Sequence, residues 1–133
     1  MIVLDTHIWI WWVHGDSSLS NGARALIDSS EQTGIAVSAI SCWEVAKLVE
    51  RRRLTLPCPV FDWLHQALSY LGVRLIDLSP RICVESAQLP GEFHRDPADQ
   101  IIVATARVLN APLLSVDRNI LEYPHVKLAS RIA

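Results

Sequence analysis

Short, wholly apolar runs alternate along the 133-residue chain with stretches whose apolar side chains recur every three or four positions. Residues 1–4 (MIVL) read as a buried strand ending at Asp5, and 35–38 (IAVS) as a second. Between them, a helix is expected over 21–32, stopping near Gly34 as its C′ residue. From about residue 40, Val45, Leu48 and Val49 fall at i, i+3 and i+4, which predicts a helix through Arg52. Pro57 and Pro59 break the chain before Phe61, Leu64, Leu68 and Leu71 repeat at helical spacing, with Gly72 closing that helix. VRLIDL (73–78) is a third strand, a short helix begins near Pro80, and another helix spans 97–109 with Asn110 as a left-handed cap. PLLSV (112–116) is a fourth strand ending at Asp117, and VKLA near the end is a candidate fifth.

Strands alternating with helices predict an α/β fold with a mainly parallel sheet. Uninterrupted apolar strands suit a sheet covered on both faces. In such a sheet the carboxyl ends of the strands share one rim, and ligands bind in the crevice outside it. Neither a repeat nor a linker interrupts residues 1–133, so a single domain is expected. Composition adds exclusions. A net charge of −2 provides no global positive field, so nucleic-acid binding would need a local basic patch. No run approaches the roughly 18–20 apolar residues of a membrane span. The apolar start lacks the charged leader and cleavage site of an export signal. Cys42, Cys58 and Cys83 show no Cys-x-x-Cys spacing, and are expected to be reduced, mostly buried thiols in a cytoplasmic protein.

The candidate chemistry lies in the acids. Asp5 follows the first strand and Asp117 the fourth; Glu44 lies early in the helix after the second strand, and Asp99 in the first turn of the 97–109 helix. In a parallel sheet all four project toward one rim. Crowded carboxylates raise one another's pKa unless a cation neutralises them, and an oxygen-rich cluster suits Mg²⁺ or Mn²⁺ better than zinc. Each acid also has a purely structural role available. Asp5 and Asp117 can start turns, and Ser41-x-x-Glu44 reads as a capping box. Asp96 can cap the helix that opens with Pro97, leaving Asp99 at N3 against the positive end of the dipole. Their shared placement makes the functional reading persuasive.

Four stretches in order, IVLDTHIWIWW, SAISCWEVAKLVERRRL, DPADQIIVATA and APLLSVDRNI, give the chain its resemblance to the PIN-domain ribonucleases, specifically the VapC-type toxins of bacterial toxin–antitoxin pairs. The resemblance implies a three-layer α/β/α sandwich. It implies metal-dependent hydrolysis of RNA phosphodiesters, with one or two Mg²⁺ or Mn²⁺ ions held by positions matching Asp5, Glu44, Asp99 and Asp117. Asp96 matches an additional acid of the subgroup, and Thr6 and Ser115 match hydroxyls that support the site. It also implies a cognate antitoxin, a second copy of the chain, and DNA binding only through the antitoxin. The stretch 53–92 matches in pattern alone.

Arg51, Arg52 and Arg53 form the one basic run and are candidates for phosphate contact, although arginines in a last helical turn are ordinarily solvated. Trp9, Trp11 and Trp12 lie too widely around a helix for every ring to face one core, so some apolar surface is expected to serve an interface. His7 is expected to be a hydrogen-bonded structural residue, and His14, His65, His94 and His125 lack metal-ligand spacing. Two other phosphate-handling classes fit poorly. A haloacid-dehalogenase-type phosphotransferase needs Asp where His7 stands, and a receiver domain needs an early acid pair. The different-class alternative is a non-catalytic α/β binding module whose acids only cap helices.

Overall fold

In the computed structural model, which describes residues 1–129, strands and helices alternate much as the pattern requires. The chain runs β1 (Ile2–Leu4), α1 (Thr6–His14), α2 (Asn21–Asp28), β2 (Ile35–Ser38), α3 (Ala39–Glu50), α4 (Val60–Leu68) and β3 (Val73–Ile76). It continues through α5 (Pro80–Ala87), α6 (Pro97–Leu109), β4 (Leu113–Leu114) and α7 (Arg118–Leu121). The strands form one parallel sheet in the order β3-β2-β1-β4, with Leu4 aligned to Val37 on one side and to Leu114 on the other.

Period-two alternation divides each apolar strand between two cores. Ile2, Leu4, Ile35, Val37 and Leu114 pack with Ile8, Trp9, Ile27, Val45 and Trp63. Val3, Ala36 and Leu113 face Ile102, Val103, Ala106 and Ile120. Helices thus cover both faces, giving an α/β/α sandwich. α5 lies outside α6, where the Arg107 Nε donates to Glu85 at 2.7 Å.

The local termini explain where the helices start and stop. Asp5, Ser20, Ser38, Ser79, Asp96 and Asp117 are N-caps whose side chains accept backbone N–H groups. Asn110 closes α6 in the left-handed conformation expected of it.

Several expectations change. α2 ends at Asp28 rather than running to 32, because a turn over 29–33 intervenes before Gly34. α4 buries Trp63 and Ala67 and turns Phe61 outward, 67% exposed. The larger indole wins the inward position: it packs edge-to-face on Trp9 at 5.2 Å, and its N–H donates to His14 Nε2 at 2.9 Å. Leu71, 76% exposed, lies beyond the helix. β4 is shorter than 112–116, and the candidate fifth strand contributes one parallel bridge, Leu113 to Leu128. Cys83 is exposed, and Cys42 and Cys58 pack at the edge of the core and stay half-buried; all three are free thiols. No helix among the described residues is long and apolar enough to cross a membrane.

Gly72 gives a direct test of this packing. Its φ is +84°, and a Cβ there would stand 2.4 Å from the Glu31 carbonyl oxygen. The Gly72 carbonyl also accepts from Ile35 N at 2.7 Å, so the backbone cannot simply move away. Gly72→Ala is therefore expected to destabilise the protein by about 1–3 kcal/mol, measured as a lowered urea midpoint at unchanged m-value.

Candidate active site

β1 lies between β2 and β4, so the chain's connections diverge to either side of it and leave a crevice beyond its carboxyl end. Because α1, α3 and α7 begin within a few residues of the strands they follow, their N-termini open on this rim. α6 brings Asp96 and Asp99 to the same place. The outcome is a cleft of about 350 Å³ lined by Asp5, Glu44, Asp96, Asp99 and Asp117, with His7, Trp11 and Val116 completing its walls. All five acids singled out in the sequence meet there.

Two buried hydroxyls orient the carboxylates. Ser115 Oγ donates to Asp5 Oδ2 at 2.6 Å and accepts from Asp117 N at 2.9 Å, linking the ends of β1 and β4. Asp5 Oδ1 also accepts from Thr6 N at 2.8 Å. Thr6 Oγ1 donates to Glu44 Oε1 and lies 2.8 Å from Ser41 Oγ. With its single proton committed to Glu44, Thr6 must accept from Ser41. This chain overturns the capping-box expectation. Ser38 caps α3, whereas Ser41, fully buried three positions later, turns inward to Thr6. Ser41 is a supporting residue that sequence spacing assigned to another task, because its partner is 35 residues away.

The structural roles of the acids divide. Asp5, Asp96 and Asp117 cap α1, α6 and α7 while facing the cleft. Glu44 lies well inside α3 and caps nothing, and it accepts from the Thr6 hydroxyl. Asp99 stands in the first turn of α6 but carries no capping bond through its carboxylate. Nε2 of His94 lies 2.9 Å from Asp99 Oδ2, but out of line for a hydrogen bond, so this buried nitrogen has no such partner among the described residues. His94 was not expected at the site, since only the fold of the 88–96 segment brings it there. His7 is exposed on the cleft wall, its ring 6.1 Å from Trp11, not in a buried structural role.

Crowding dominates the electrostatics. Burial, followed by the charges of Asp5, Asp96, Asp117 and Glu44, pushes the Asp99 carboxyl up to about 8. Burial also raises Asp5 and Glu44, against the opposing hydrogen bonds from Ser115 and Thr6 respectively. The positive end of α6 does not compensate Asp99, since one helix terminus provides only about half a charge. No three acidic, His or Cys side chains among the described residues close tightly enough around one point to hold an ion as they stand. The donor set itself is oxygen-rich and carries uncompensated negative charge, which fits a hard divalent cation.

The arginines separate. Arg51 lines a groove next to the cleft, while Arg52 and Arg53 are solvent-exposed and line neither. Arg52 occupies the left-handed region with φ of 58°, which turns the run away from the helix axis.

Comparison with known proteins agrees with this geometry. Residues 2–126 match the PIN domain family. Ribonuclease VapC22 of Mycobacterium tuberculosis is 35% identical over 124 residues, 93% of this chain and 92% of that protein. Among solved structures, VapBC2 from Rickettsia felis, bound to a DNA fragment from their promoter, superposes with a TM-score of 0.66 at 19% identity, covering 96% and 97% of the two chains. A toxin–antitoxin complex from Klebsiella pneumoniae gives 0.64 at 22% identity, covering 95% of each chain. FitAcB from Neisseria gonorrhoeae gives 0.64 at 22% identity, covering 96% of each. At these identities the structural matches speak for the fold.

The raised Asp99 carboxyl has a consequence for stability. Its folded pKa lies above its unfolded value, so between about pH 4 and about pH 8 the native state binds more protons than the unfolded chain. Metal-free stability must then fall as pH rises through that window, by up to about 1.4 kcal/mol per pH unit for one proton. Urea titrations in chelator at pH 5, 6.5 and 8 should show this decline, and Asp99→Asn should flatten it and be more stable than the parent at pH 8. A parallel decline in Asp99→Asn would assign the effect elsewhere.

Proposed function

The chain belongs to the PIN-domain family, in its VapC-type branch, and from that premise we propose that it is a metal-dependent endoribonuclease, the toxin of a VapBC-like pair. The observation that carries the proposal is the convergence of five carboxylates in one cleft, two of which, Glu44 and Asp99, do no capping work. Retaining a carboxyl pushed up to about 8 is costly, and a cation at this position would offset that cost.

Asp5, Glu44, Asp99 and Asp117 would hold one or two Mg²⁺ or Mn²⁺ ions, with Asp96 as an additional acid at the edge. Such an ion supplies a lowered pKa for attacking water and neutralises charge developing on the phosphate. Ser115 and Thr6 fix the rotamers of Asp5 and Glu44, so the carboxylates are oriented before substrate arrives. One of the carboxylates accepts the proton released by the attacking water, and Trp11 and Val116 give the cleft an apolar wall beside them. Residues 1–133 act as one domain in the cytoplasm, with RNA as substrate and a small cognate antitoxin as inhibitor. A second copy of the chain completes a homodimer, and DNA is reached only through the antitoxin.

The capping roles of Asp5, Asp96 and Asp117 give a non-catalytic binding module its best support as the second reading. Metal titration distinguishes the two. A nuclease site should gain about 2.7 kcal/mol at a metal concentration a hundred times its Kd, seen as a rise in Tm, whereas capping acids should scarcely respond. Asp5→Asn should lower RNA cleavage by about a hundredfold or more while the far-UV spectrum stays native. Parental cleavage rates in that purified variant would remove Asp5 from the mechanism. Replacing Arg51, Arg52 and Arg53 together by Gln should weaken RNA binding and flatten its dependence on salt, with a slope change of up to about 0.7 per lost phosphate contact.

A further inference from the structure

The carboxylate cleft does not end at Glu44 and Asp96. Both residues also line a second, wider groove of about 620 Å³ between the start of α3, the start of α6 and the segment after β3. Its surface differs from that of the cleft. Ile40, Leu78 and Pro97 make its walls apolar, and Arg51 is the one cation among its lining residues. Trp43 lies on the α3 side and remains 53% exposed, the most exposed tryptophan of the five. Lys47, one turn on, holds its ammonium 5.7 Å from the indole centroid while forming an ion pair with Glu50 at 3.1 Å.

An exposed indole in this position has no packing explanation. Trp9 and Trp63 are buried, and Trp11 and Trp12 lean on the core, but Trp43 packs on neither core and has only the Lys47 ammonium over its ring. Its chemistry does suit a flat, polarisable ring. Apolar walls disfavour a phosphate, while the shared acids would repel one, so the part of a nucleotide that fits here is the base. Arg51, the cation in the lining, suits the phosphate that flanks such a base. Double-stranded RNA keeps its bases stacked and cannot present one to such a surface.

We propose that the groove lined by Trp43 is a nucleobase subsite, in which an unpaired base next to the scissile phosphodiester stacks on the indole and Arg51 meets the flanking phosphate. This rests on the ribonuclease reading of the adjoining cleft and deepens it: Trp43 helps to select where cutting occurs by taking up the base beside the cut. Stacking tolerates any base, so the subsite requires an unpaired nucleotide rather than a particular letter.

The test uses short fluorescent single-stranded RNAs that contain the cleavage site, intact or with an abasic residue at each position around the cut. Binding is measured on Asp5→Asn, which leaves the RNA whole, with Trp43 retained or changed to Phe or Ala; cleavage is measured with Asp5 intact. With Trp43 present, one abasic position should weaken binding and raise KM roughly 10-fold with little change in kcat. Trp43→Ala should show the weaker value for every oligonucleotide and lose that positional penalty, and Trp43→Phe should recover most of it. A positional penalty of equal size in Trp43→Ala, or none in any variant, overturns the subsite while continued cleavage leaves the ribonuclease reading standing. Loss of affinity for a purified antitoxin with unchanged RNA binding also overturns it, making the groove a protein-docking surface. Failure of the parent protein to cleave any RNA removes the ribonuclease reading, and the subsite with it.

Discussion

Burial of β1 on both faces is the constraint from which the site follows. Its three residues have a strand on each side and a core above and below, and all are essentially inaccessible. Asp5 therefore leaves the sheet at a fixed point and in a fixed direction. The parallel arrangement then obliges β2 and β4 to end at the same level, and the helices that follow them to begin there. Carboxylates placed at those junctions must converge, whatever the spacing between them along the chain.

Convergence carries an electrostatic cost, and the structure offsets only part of it. The helix N-termini offer partial positive charge, and the Ser115 and Thr6 hydroxyls donate to Asp5 and Glu44. Each hydrogen bond to a charged group contributes about 1.5–3 kcal/mol, enough to orient a side chain but not to cancel several neighbouring charges. Asp99 shows the balance, since its carboxyl is pushed up to about 8 despite its place in the first turn of α6. A fold that needed these acids only as caps would have no use for Glu44 or Asp99 in the cleft. Unrelieved charge at an oriented, oxygen-lined site is what a dissociable cation requires.

The surface around the cleft divides the work by chemistry. The acidic floor suits a metal and a phosphate carried by it, and the apolar groove beyond Glu44 suits a base. α3 links them, presenting Glu44 to the cleft and Trp43 to the groove from adjacent positions. A shift of that helix would therefore change catalysis and substrate positioning together. The buried Ser41–Thr6 contact between α3 and α1 resists such a shift.

Much of this was legible in the chain itself. Continuous apolar runs specified a sheet buried on both faces, Asp96-Pro97 and Asn110 marked the ends of α6, and the acids at strand ends marked the rim. These signals are local: each depends on the conformational or capping chemistry of residues close together in sequence. The tryptophans after Asp5 marked a helix, but not which ring turns inward, because large apolar residues stand on several sides of α1. Inward choice between Phe61 and Trp63 depended on Trp9 and His14, residues some fifty positions away. Ser41 bonded to Thr6 rather than to its own helix end, and His94 reached Asp99, for the same reason. The sequence thus determined which residues could form strands, caps and an acidic site. Only tertiary packing decided which hydroxyl serves which carboxylate and which aromatic ring stays exposed, because those outcomes are competitions between partners distant along the chain.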